Sequence, residues 1–99
     1  MYKDIITYQL ADGITKDHLL NVAHHIIDDW MKSLPGFIKW EIHHDNEGNY
    51  TDIVYWESRE AALNAENEMA NIPNGEEWYA CYKEGSIQGK KLITIGSFE

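Results

Sequence analysis

The sequence predicts an α+β fold, the ferredoxin-like split β-α-β arrangement: a four-stranded antiparallel sheet with two helices on one face. Three observations lead there. The segment Lys16 to Ser33 carries apolar residues at helical spacing and is closed by Pro35-Gly36. The segments Phe37 to His44 and Tyr50 to Trp56 alternate at strand period across a turn containing Gly48, which makes a hairpin. The whole chain reads strand, helix, strand, strand, helix, strand within 99 residues, enough for one domain spanning 1–99.

Lys3 to Leu10 is the first strand, with Ile6, Tyr8 and Leu10 on one face and Ile5, Thr7 and Gln9 on the other. Ala11-Asp12-Gly13 turns the chain, and Thr15 is placed to cap the first helix. Leu19, Val22, Ala23, Ile26, Ile27, Trp30 and Leu34 form that helix's apolar stripe. Asp17 near its start and Lys32 near its end suit the helix dipole. In the second strand, strict alternation puts Ile38, Trp40, Ile42 and His44 on one face and Phe37, Lys39, Glu41 and His43 on the other. Ser58 caps a second helix running from Arg59 to about Asn71, with Ala62, Ala65, Met69 and Ile72 inward. Pro73-Asn74-Gly75 ends it. Glu76 to Tyr82 is a short third helix, and Lys90 to Phe98 the last strand.

Charge and composition exclude several function classes. Eight basic residues face seventeen acidic ones, a net −9, and the acidity is evenly spread. With no basic patch, phosphate backbones and anionic lipid surfaces are repelled, so neither nucleic acid nor membrane is an expected partner. The N-terminal residues lack the pattern of a secretory signal, and the lone Cys81 forms no intrachain disulfide. Both suit a cytoplasmic location. Twelve aromatics, four of them Trp, are more than a small core absorbs, so some line a pocket or an interface. Large apolar groups on both faces of the second and third strands predict a homodimer covering the face that the helices leave bare.

Among the five histidines, His24/Asp28 and His25/Asp29 have the spacing of helical ligand pairs, but no third ligand accompanies them. No metal or other cofactor is expected. Cys81 has no neighbouring cation before Lys83 to activate it, and triad, P-loop and dinucleotide motifs are absent. What remains is an aromatic pocket for a flat apolar ligand, with Trp40, Trp56, Trp78, Tyr79 and Tyr82 as its walls. His44 shares a strand face with Trp40 and is the candidate base. The same residues also fit plainer roles: Trp40 and Trp56 as core, His44 ending a strand in water.

Two stretches resemble the antibiotic-biosynthesis-monooxygenase (ABM) domain of the dimeric α/β barrel superfamily. One is Leu34-Pro35-Gly36-Phe37 with Ile38-Lys39-Trp40-Glu41. The other is Ile53-Val54-Tyr55-Trp56-Glu57-Ser58-Arg59-Glu60-Ala61-Ala62, a strand ending in Trp that meets a capped, alanine-bearing helix. The resemblance implies a dimeric barrel and a cofactor-independent monooxygenase acting on a small phenolic or quinone-type molecule. In that mechanism the protein deprotonates the substrate, and the electron-rich ring reacts with O₂. A non-catalytic, dimeric small-ligand-binding or stress-related protein is the alternative that the same resemblance allows. No His follows His44, so the second-helix haem ligand of the haem-degrading branch has no counterpart.

Overall fold

A computed structural model describes all 99 residues. The elements are β1 (Tyr2–Tyr8), α1 (Lys16–Asp29), β2 (Phe37–His44), β3 (Tyr50–Trp56), α2 (Arg59–Glu68), α3 (Gly75–Tyr79) and β4 (Gln88–Ile93), with single 3₁₀ turns at Met31–Ser33 and Met69–Asn71. The sheet order is β2-β3-β1-β4 and every pairing is antiparallel, which is the ferredoxin-like topology. No helix is long and apolar enough to cross a membrane.

Local chemistry sets most boundaries where the sequence places them. The Thr15 hydroxyl accepts the His18 N–H at 3.1 Å, and the Ser58 hydroxyl accepts the Ala61 N–H at 3.1 Å, so both main helices start on side-chain caps. The β2–β3 turn is held by Asp45, whose Oδ1 accepts N–H groups from Glu47 and Asn49. α1 stops at Asp29, short of Ser33, because the chain tightens into the 3₁₀ turn that follows Trp30.

Three further boundaries differ from those the sequence predicts, two of them through tertiary pairing. β1 ends at Tyr8, because beyond it the backbone leaves β3 and bonds to the segment after α3: Ala11 N–H to Cys81 O, and Lys83 N–H to Gln9 O. β4 runs from Gln88 to Ile93 rather than from Lys90 to Phe98. Ile93 already lies opposite Tyr2, so its partner strand runs out there, and only Thr94 N–H to Met1 O follows. The third helix starts one residue early, after the left-handed Asn74, and ends at Tyr79.

The fourth correction concerns side-chain direction. The β2–β3 register shifts between Phe37 and Lys39, so Ile38 is the extra residue of a bulge. Phe37 therefore joins Trp40, Ile42 and His44 on the inner face and meets Trp56 edge-on at 5.7 Å. The inner face carries Tyr2, Asp4, Ile6 and Tyr8 from β1, beside Tyr50, Asp52, Val54 and Trp56 from β3. These pack under Leu19, Val22 and Ile26 of α1, and under Ala61, Ala62 and Ala65 of α2, whose small side chains bring that helix close. The outer face is consequently less apolar than strict alternation implies. Ile5, Ile53, Tyr55 and Leu92 stand there among Lys3, Thr7, Lys39, Glu41, His43 and Thr51.

Candidate functional site

Two carboxylates interrupt the inner face, and they have opposite surroundings. Asp52, in the middle of β3, is 1% exposed. Its Oδ1 accepts the Tyr8 hydroxyl at 2.8 Å and its Oδ2 accepts the Trp40 indole N–H at 3.2 Å. Both donors are diagonal neighbours on the flanking strands, within reach across a pleated sheet. Burial pushes the Asp52 carboxyl up to about 6, against the pull of those two hydrogen bonds. Burial and the adjacent carboxylate also raise the Tyr8 phenol.

Aromatic rings close around this carboxylate. Trp40 lies 5.4 Å from Trp78, Trp78 lies 6.2 Å from Tyr82, and Tyr82 lies 4.4 Å from Tyr8, ring centre to ring centre. The Trp78 Nε1 and the Tyr82 hydroxyl are buried without hydrogen-bond partners. On its outer side Trp40 floors an apolar groove of about 250 Å³ between α1 and β2, with Leu20, Ala23, Ile27 and Ile42 as walls and His24 at the edge.

Asp4 sits on β1 opposite Val54 and diagonal to Trp56, and it is half-buried where Asp52 is sealed. It lines a cleft of about 420 Å³ between α2 and the β1–β4 edge, with Ile6, Met69 and Ile87 as apolar walls and Glu66 and Lys91 beside it. Gly89, opposite Ile6 on β4, leaves that wall without a side chain. Lys91 reaches across from β4 to pair with Glu66 of α2. Burial raises the Asp4 carboxyl. Lys91 pulls it back down, Glu66 pushes it up, and the nearby Trp56 N–H favours its charged form. Yet Asp4 Oδ1 and Trp56 Nε1 are both buried and both lack a hydrogen-bond partner. The Asp4 carboxyl thus lines the cleft with the Trp56 N–H close to it.

The aromatic residues expected to frame one pocket divide between these places. Trp40, Trp78 and Tyr82 gather around Asp52, and Trp56 lies beside Asp4. Tyr79 stacks on Trp78 at 5.9 Å but is itself exposed. His44 is exposed at the far end of the hairpin, its Nδ1 accepting the Asn46 N–H and its ring 5.8 Å from Tyr50. No three His, Cys, Asp or Glu side chains gather into a set able to hold a metal ion.

Asp4 and Asp52 were not singled out from the sequence, although each carries a signal. Asp4 shares its strand face with Tyr2, Ile6 and Tyr8, and Asp52 shares its own with Tyr50, Val54 and Trp56. A single acid inside an otherwise apolar row is either a surface break or a buried functional group.

No protein-family model matches the chain, and no curated protein sequence matches it. Solved structures do. The ActVA-Orf6 monooxygenase of Streptomyces coelicolor, determined in complex with nanaomycin D, superposes with a TM-score of 0.74 at 18% identity, covering 99% of this chain and 90% of that one. SnoaB, a cofactor-independent oxygenase from Streptomyces nogalater, gives 0.76 at 11% identity over 97% of this chain and 94% of its own. An antibiotic biosynthesis monooxygenase gives 0.69 at 13% identity over 97% and 100%. At such identities the likeness is one of fold. The chain thus has the fold seen in these ABM structures.

Proposed function

We propose that the chain is a cofactor-independent, monooxygenase-like enzyme acting on a small phenolic or quinone-type aromatic bound in the cleft lined by Asp4. One observation carries this reading: the part-buried carboxylate of Asp4 lines an apolar-walled cleft, with the Trp56 N–H close to it. A substrate hydroxyl in that cleft donates to the Asp4 carboxylate. Ile6, Met69 and Ile87 then contact the hydrocarbon body.

The chemistry follows from the same carboxylate. Asp4 accepts the phenolic proton, and desolvation strengthens it as a base by raising its carboxyl. Negative charge grows on the substrate oxygen, and Lys91 beside Asp4 adds a positive field there. The electron-rich ring then reacts with O₂ without a bound metal or flavin. The SnoaB and ActVA-Orf6 likenesses support this reading at the level of fold.

A homodimer completes the proposal. Ile95 and Phe98 beyond β4 are 99% and 96% exposed, and Leu92, Ile5, Ile53 and Tyr55 stand on the outer face. A second copy, packed sheet to sheet about a two-fold axis, covers this surface on both chains at once.

Calorimetric titration with 1-naphthol and with its methyl ether tests the site. The phenol binds, the ether, which has no proton to donate to Asp4, binds more weakly, and Asp4→Leu removes the difference. Equal binding of both by the parent protein overturns the hydroxyl site. Binding without O₂ consumption identifies a ligand-binding protein instead of an enzyme.

A further inference from the structure

The aromatic cluster around Asp52 lies outside the proposed cleft chemistry, yet its geometry is ordered. From the exposed Tyr79, rings follow one another inward: Tyr79 to Trp78 at 5.9 Å, stacked; Trp78 to Tyr82 at 6.2 Å; Tyr82 to Tyr8 at 4.4 Å. Neighbouring rings at these spacings are close enough for an electron to pass from each to the next. The phenols differ in one respect that matters for oxidation. A phenol that loses an electron becomes a strong acid, so it is a low-energy resting place for the hole only where a base takes its proton. The Tyr82 hydroxyl is buried with no partner. The Tyr8 hydroxyl donates to a carboxylate at 2.8 Å.

We propose that this chain of rings is a one-electron relay: an oxidising equivalent entering at Tyr79 and Trp78 passes through Tyr82 and comes to rest on Tyr8, whose proton moves to Asp52. The oxidant is an organic peroxyl radical at the protein surface. It gains the electron and a solvent proton and leaves as a hydroperoxide. Tyr8 loses one electron and breaks its O–H bond, Asp52 forms an O–H bond, and the products are a neutral tyrosyl radical and a carboxylic acid. Trp40 holds the other carboxylate oxygen at 3.2 Å, so Asp52 stays aimed at Tyr8 while it takes the proton. A small oxygen-dependent enzyme gains from such a path, because stray radicals are drawn to one sealed phenol and away from Trp56 and the substrate.

Pulse radiolysis with azide, whose radical oxidises Trp rapidly, tests the relay on the intact protein. In the parent chain, the indolyl absorption decays at a rate independent of protein concentration while tyrosyl absorption grows. In Tyr8→Phe the tyrosyl growth is lost and the indolyl radical persists. Tyr55→Phe is the control, since Tyr55 also donates to a carboxylate, Glu41, but on the outer face. It leaves the growth unchanged. In deuterated buffer the parent's tyrosyl growth slows, as a step that moves the Tyr8 proton requires, and this holds whether or not Asp52→Asn folds. Full tyrosyl growth in Tyr8→Phe, loss of it in Tyr55→Phe, or no isotope effect overturns the proposal.

Discussion

The Cα of Gly36 faces the side chain of Ala61 so closely that a Cβ on Gly36 falls 2.5 Å from the Ala61 Cβ. Gly36 also has φ +78 and accepts the Glu57 N–H at 2.8 Å. The two stretches that carry the ABM resemblance therefore touch: the turn before β2 is seated on the first turn of α2. Gly36→Ala combines a left-handed backbone with a collision and destabilises the protein by about 2–5 kcal/mol. Gly48→Ala, at φ +89 with open space around it, costs only about 1–2 kcal/mol. Urea midpoints of the two variants show the difference.

Asp52 makes stability depend on pH in an identifiable window. Its carboxyl lies at about 6 in the folded protein against 3.8 for the free group, so the folded state holds the extra proton. Its contribution is fully present below about pH 4 and is lost as pH rises through about 6, a swing on the order of 3 kcal/mol. Unfolding free energy followed from pH 4 to 7 contains this fall, and Asp52→Asn removes it.

Turnover has its own pH signature. Asp4 must be ionised to accept a proton, and its carboxyl is raised above 3.8, mainly by burial. kcat/KM for a phenol accordingly rises with pH through that shifted value and then levels off. Lys91→Met removes the cation that pulls Asp4 down and moves the rise to higher pH. A rise at unchanged pH in Lys91→Met excludes Asp4 as the titrating group.

Sedimentation equilibrium at micromolar concentration gives about twice the 11.5 kDa chain mass if the bare sheet face is covered by a second copy. Ile53→Lys places a charge at the centre of that face and shifts the mass toward a single chain. A parent protein that remains monomeric at every concentration refutes the dimer.

The hairpin was legible to the residue, because β2 and β3 are fixed by alternation and by the Asp45 turn, both local. What was not legible depends on distant partners. Phe37 changes face through a bulge opposite Trp56, and β4 ends where Tyr2 has no further backbone to offer. The site was partly readable for the same reason. Trp40, Trp78 and Tyr82 stood out by type, but the acids that organise the inner face read as ordinary polar positions until register placed Asp4 beside Trp56 and Asp52 between Tyr8 and Trp40. His44 shares the inner face as alternation implies, yet it lies past the end of the helical cover and is exposed.

O₂ consumption by the parent protein and by Asp4→Asn, with a hydroxylated anthracene as substrate, tests the central claim most directly. The parent consumes O₂ in proportion to the phenol. Asp4→Asn, which keeps the shape of the cleft but removes the base, loses roughly 100-fold or more in kcat with little change in phenol binding. Equal O₂ consumption by the two proteins would contradict the assignment of Asp4 as the base, and with it the catalytic reading of the cleft.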